Sequence, residues 1–165
     1  MQFTDIKLFS PEIALIIGSI FILLYGIFFK NNKDSNKNIL YICLTSLVIS
    51  FYCSIYLVDP NTTSFNDLLD NSSYTLFFKV IVFLGSLVVT YISYNYLKDL
   101  NILTPEFFFL ILLSLVGVLI LISSRNIISM YLGLELQSVC LYILAAYTKY
   151  DIKSSESGIK YFVMG

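Results

Sequence analysis

The 165-residue chain has no histidine and no tryptophan, only three cysteines and three prolines, and just 10 basic and 11 acidic residues. Each scarcity excludes something. Without histidine, and with Cys43, Cys53 and Cys140 inside apolar runs and in no C-x-x-C spacing, a metal or haem site within the chain is not expected. The three thiols read as buried and inert. A formal net charge of -1 supplies neither a basic surface for nucleic acid nor an acidic one for a cationic partner, so nucleic-acid binding is set aside. So few charges also cannot clothe a soluble domain of which 58% is hydrophobic. The solvent of this chain must be lipid.

What the sequence does have is long apolar runs. A helix crossing a hydrocarbon core of roughly 30 Å needs about 20 apolar residues at about 1.5 Å each. Five segments meet that length: about 11–29, 39–58, 74–97, 106–122 and 126–147. The polar stretches "KNNKDSNKN" and "DPNTTSFNDLLDNSS" separate the first three as turn-rich loops. Short connections force neighbours antiparallel. The expected fold is therefore an all-α integral membrane protein, one membrane domain over 1–165, built as an antiparallel bundle of five transmembrane helices. The first run lacks a basic leader and an A-x-A-like cleavage site, so it reads as a retained span rather than a signal peptide. After the fifth span a polar loop, "TKYDIKSSESGIK", leads into "YFVMG", and residues 158–165 read as the start of a sixth helix. Either another polypeptide completes that helix or the sequence is a fragment.

Lys30, Lys33, Lys37, Lys98, Lys149, Lys153 and Lys160 fall on one side of this topology, and Lys7, Lys79 and Arg125 on the other. The positive-inside rule then puts the amino terminus outside, in the periplasm or intermembrane space. Abundant Phe, Tyr, Ile, Asn and Lys is what AT-rich coding favours, which hints at an organellar gene. The expected location is the mitochondrial inner membrane, with the bacterial plasma membrane as the alternative.

One residue disturbs the fifth run. In "ISMYLGLELQSVCLYILAAY", residues 128–147, Glu135 sits mid-span, where an acid facing lipid costs on the order of 2.5–3.5 kcal/mol. It should face protein and find a partner. Tyr131, Glu135, Ser138 and Tyr142 follow an i, i+4, i+7, i+11 pattern that puts them on one stripe. Two readings follow. The stripe is a polar face that orients water around a proton-exchanging carboxylate, or Glu135 joins helices through a buried hydrogen bond while the tyrosines pack. Lys79, inside the third run, either snorkels to the surface along its aliphatic stem or pairs with Glu135. Arg125 lies at the mouth of the fifth helix, about ten residues of rise and roughly 15 Å from Glu135. The partner of Glu135 is expected from another chain.

The core "YLGLELQS", followed by "LYILAAY" and "SSESGIKYF", closely resembles the chain 2 family of respiratory NADH:ubiquinone oxidoreductase (complex I). The "PEI" opening the first span and "FFKVIVFLGSLVV" in the third fit that family more loosely. The resemblance covers most of the chain, and only the amino-terminal third of a full-length member. It implies an antiporter-like membrane subunit of a proton-pumping complex, with Glu135 as the fifth-helix glutamate that sets the proton affinity of a lysine on a later helix. It implies catalysis only as part of NADH:ubiquinone reductase, with no redox chemistry in this chain. NADH, FMN, iron–sulfur clusters and ubiquinone would belong to other subunits. Its implied partners are the other complex I membrane subunits, membrane lipids and, if the gene is split, a second polypeptide carrying the remaining helices. Asn126 departs from the pattern, since relatives often carry an acid there. A cation/proton antiporter or membrane-hydrogenase subunit is the alternative within the superfamily. A structural subunit that no longer translocates protons is the alternative outside it.

Overall fold

The computed structural model describes residues 3–29, 35–57, 62–64, 68–100, 102–148 and 152–165. A short helix, α1 (Phe3–Leu8), turns at Phe9 into α2 (Ser10–Phe28). Pro11 stands in the first turn of α2 and Pro105 in that of α5 (Pro105–Ser123), where a missing backbone N–H leaves no intrahelical bond unmade. Between them lie α3 (Ser35–Tyr56) and α4 (Ser73–Asp99). Ser72 caps α4, its Oγ accepting from the Thr75 N–H at 3.3 Å. Asn126 caps α6 (Ile127–Ala145) in the same way, accepting from the Ile128 N–H at 3.4 Å. The helices α2 to α6 are each long and apolar enough to cross a membrane. The chain is an all-α, multi-pass membrane protein.

Packing follows from composition. The α5 helix is apolar almost all round and packs against α2, α3, α4 and α6, so it forms the centre of the bundle. Its Phe108, Leu112, Val116 and Leu119 join Leu15 and Ile22 of α2, Leu47 of α3 and Phe83 of α4 in one buried cluster. The backbones of α5 and α6 come close together. A Cβ on Gly117 would lie 2.7 Å from the Gln137 nitrogen and 2.8 Å from the Gly133 carbonyl oxygen, and one on Gly133 would lie 2.9 Å from the Gly117 oxygen. Only two glycines facing each other let these backbones touch.

Two stretches that read as loop are structured. Within "DPNTTSFNDLLDNSS", β1 (Thr62–Ser64) and β2 (Leu69–Asn71) form an antiparallel hairpin with Thr62 opposite Asn71 and Ser64 opposite Leu69. It is tied to the α5–α6 turn. Leu69 bridges Ser124, and the Leu68 carbonyl accepts from the Arg125 N–H and from Ser129 Oγ, both at 3.0 Å. Backbone pairing with a neighbouring turn, invisible as a local signal, is what orders it. The second stretch is the polar run after α6, where helix α7 (Ile152–Met164) begins before residue 158. Ser154 and Ser157 donate to the Ala145 carbonyl at 3.2 and 3.1 Å, and Gly158 lies against Ala146, so polar residues here serve α6's open end. Lys30, Lys33 and Lys149, part of the positive-side argument, lie outside the described residues.

At the other end of the bundle Tyr147 fastens the α4–α5 connection. Its hydroxyl donates to the Ile102 carbonyl at 2.9 Å and lies 2.5 Å from Thr104 Oγ1. Burial pushes the Tyr147 phenol above the usual tyrosine range, against the lowering effect of the Thr104 contact.

Candidate functional site

Two of the carboxylates on the membrane helices, Glu12 and Glu135, stand in opposite settings. Glu135 is exposed on α6. The buried line of that helix runs through Ser129, Gly133 and Cys140, with Gly133 against α5. Glu135 is two residues beyond Gly133, about 200° round the helix, and so looks away from α5. The stripe expected at 131, 135, 138 and 142 is a line on the helix, but it is not a buried channel through the described bundle. Tyr131 is exposed with its hydroxyl close enough to interact with the Glu135 carboxylate. Ser138 is half-buried and donates to the Glu135 backbone carbonyl at 3.1 Å, an in-helix bond that leaves the carboxylate untouched. Tyr142 packs edge-on against Tyr161 and Phe162 of α7, with ring centroids 5.0 and 5.5 Å away. The structure thus keeps Tyr131 with Glu135 and assigns Tyr142 to the α6–α7 contact.

Lys79 is elsewhere. Neither the snorkelling nor the Glu135 pairing expected for it is seen. Its side chain is buried, and Nζ lies 3.1 Å from Glu12 Oε1. Glu12 itself is 1% exposed. The correction has a topological reason. In an up-and-down bundle α2 and α4 run parallel, so the third residue of α2 and the seventh of α4 start from the same end and meet across α3. The α4 face that carries Lys79 also buries Thr75, Phe83, Ser86, Thr90, Tyr94 and Leu97, spaced three or four apart. Lys79 is therefore fixed inward by the register of its own helix, and a buried ammonium requires an anion. Position in the first turn of α2 also favours Glu12 as the anion, because the backbone N–H groups there are the positive end of the helix.

Alongside the pair, Ser50 of α3 donates to the Pro11 carbonyl at 2.7 Å, drawing α3 onto the start of α2. Glu12 Oε2 is buried and has no hydrogen-bond partner among the described residues, and the same holds for Ser10 Oγ. Sequence reasoning passed over Glu12 because an acid in the first turn of a span reads as an interfacial residue. The usable signal was the pair: one unmatched acid and one unmatched base near the same end of two parallel spans.

Comparison with known proteins places this geometry. Residues 124–165, covering α6 and α7, match the family described as NADH:quinone oxidoreductase/Mrp antiporter, TM. Over the whole chain the similarity is to NADH-quinone oxidoreductase subunit N. The protein of that name from Pelagibacter ubique (strain HTCC1062) is 38% identical across 97% of this chain and 34% of its own length. The protein from Beijerinckia indica subsp. indica is 37% identical across 94% of this chain and 32% of its own length. That from Rhodobacter capsulatus is 32% identical across 100% of this chain and 34% of its own length. The chain is a homologue of these subunits, and it spans about a third of the length of the curated relatives it matches.

Proposed function

We propose, starting from this homology to subunit N of NADH-quinone oxidoreductase, that the chain works in the membrane part of a proton-pumping NADH:quinone oxidoreductase, where it contributes Glu135 to an antiporter-like translocation unit. The observation that carries the reading is an ionisable carboxylate held mid-span on the face of α6 that turns away from α5, with Tyr131 beside it. A carboxylate in that place is costly against lipid, so the exposed face suits contact with further helices that bring a cation. On this reading Glu135 holds a negative charge next to a lysine lying outside these 165 residues. Moving that lysine toward or away from the carboxylate changes how tightly it keeps its proton. Tyr131 orients the carboxylate, and Tyr142 fixes α7 against the same helix.

NADH, FMN, iron–sulfur clusters and ubiquinone belong, on this proposal, to other subunits, and this chain takes part in catalysis only through the assembly. The named relatives are bacterial, which favours a bacterial plasma membrane over the mitochondrial inner membrane suggested by composition. A cation/proton antiporter is the second reading, favoured by the family description that also names Mrp antiporters.

A native gel of detergent-solubilised membranes, stained for NADH dehydrogenase activity, tests the assignment. The chain is expected in the active band, together with a second polypeptide if the remaining helices are separately encoded. Its presence only outside that band would reject the respiratory assignment. Within the assembled complex, Glu135→Gln should lower protons pumped per NADH oxidised. Unchanged pumping with intact assembly would leave Glu135 a structural role.

A further inference from the structure

The Glu135 relay makes no use of Glu12 or Lys79. The geometry points to a second proton-exchanging pair in this chain, Glu12 with Lys79, at the hairpin end of the bundle, with water as the exchange partner. Burial alone does not account for the pair. A charge pair taken out of water is commonly no more stabilising than well-packed apolar side chains of the same volume, so its presence asks for a use. Its bonding is also incomplete. Lys79 engages Oε1 of Glu12 at 3.1 Å, while Oε2 is buried without a partner among the described residues. Ser10 Oγ, two residues earlier in the same turn, is buried and orphaned as well. An open carboxylate oxygen beside the Lys79 ammonium is a place for a buried water, since such waters take two to four polar partners.

The surroundings suit exchange in place. Thr75 is buried one turn before Lys79, and Ser50 holds the Pro11 carbonyl beside Glu12. The first turn of α2 is at the end of the span, so the route to bulk water is short. Charged residues at this end include Asp5 of α1, Lys7, exposed on α1, Asp70, half-buried on β2, and Arg125, exposed on the α5–α6 turn. Lys37 of α3 and Glu106 of α5 lie at the opposite end of their helices. The step is a transfer of one proton. A hydronium ion at the water position donates a proton to Oε2 and becomes water, leaving a neutral carboxylic acid beside the Lys79 ammonium; return of that proton to the water regenerates hydronium and restores the ion pair. Only O–H bonds form and break, and the ammonium favours the return.

The inference rests on the pumping reading above, and the test separates the two. In the assembled complex, Glu12→Gln combined with Lys79→Met removes both charges at nearly constant volume, a replacement that a purely helix-joining pair tolerates. The expected result is a complex that runs at its normal position on a native gel but pumps fewer protons per NADH oxidised, with a loss comparable to that of Glu135→Gln. Wild-type pumping in the double variant, beside a loss in Glu135→Gln, overturns this inference alone. No loss in Glu135→Gln removes the relay reading, while the double variant still reports on Glu12 and Lys79. If the double variant does not assemble, Glu12→Asp decides. It keeps the charge and draws the carboxylate back by one methylene, so lowered pumping in an assembled complex supports exchange, and unaltered pumping refutes it.

Discussion

Alanine in place of three helical glycines should give opposite results that the packing alone determines. At Gly117 the new Cβ would lie 2.7 Å from the Gln137 nitrogen, about 0.7 Å short of ordinary contact, and 2.8 Å from the Gly133 oxygen. At Gly133 it would lie 2.9 Å from both the Gly117 oxygen and the Leu121 nitrogen. All four obstacles are backbone atoms, so no side chain can swing aside and α5 and α6 must separate. Overpacking of this kind costs about 1–3 kcal/mol. Against it stands the better helix propensity of alanine, about 1 kcal/mol. The steric cost is the larger over most of that range, and each substitution should destabilise the bundle by up to about 2 kcal/mol. The double variant should cost less than the two together, because one separation relieves both contacts. Gly85 is the control: nothing lies within 4 Å of its added Cβ, so Gly85→Ala should be neutral or slightly stabilising. Denaturant titration in detergent, followed by far-ultraviolet circular dichroism, measures all four. Equal midpoints for the Gly85 and Gly117 variants would show that the α5–α6 contact is not set by these glycines.

Lys79→Met alone strands a buried carboxylate and should cost about 3–5 kcal/mol in the same titration, most of which Glu12→Gln in the same chain should restore. Tyr147→Phe should cost about 1 kcal/mol through its bonds to Ile102 and Thr104. Because the folded Tyr147 phenol is raised above its unfolded value of about 10, its contribution is complete below that pH and is lost as pH rises through the folded value. The alkaline fall of the unfolding midpoint should accordingly be shallower in the Phe variant. Ser72→Ala removes the cap of α4 and should lower stability by about 1 kcal/mol, read as a shift in the same midpoint.

How far the sequence reveals this molecule depends on the range of the interaction. The five spans are a matter of length and apolarity, and Pro11, Ser72, Pro105 and Asn126 mark helix starts by local chemistry. Glu135 is conspicuous because its immediate neighbours are apolar. What escapes is what depends on a distant partner. The β1–β2 hairpin is ordered by the α5–α6 turn, α7 starts early because its serines meet Ala145, and Lys79 finds an acid 67 positions away. The stripe at 131, 135, 138 and 142 shows the same limit from the other side. Periodicity predicted a line of residues but not which way the line looks, and Gly133, two residues off, is what turns that line away from α5.

That separation of 67 positions also has a consequence in time. During synthesis Glu12 enters the membrane with α2 long before α4 exists, and it has to wait uncompensated while α3 is made. Its place in the first turn keeps it near headgroup water, and the long stem of Lys79 lets the ammonium wait at the same boundary. The two charges therefore leave water last, after their helices are across and as the spans gather. Biogenesis and final geometry are linked at this point: a ribosome or insertase that released α2 deeper into the bilayer would trap the acid before its counter-ion had been translated.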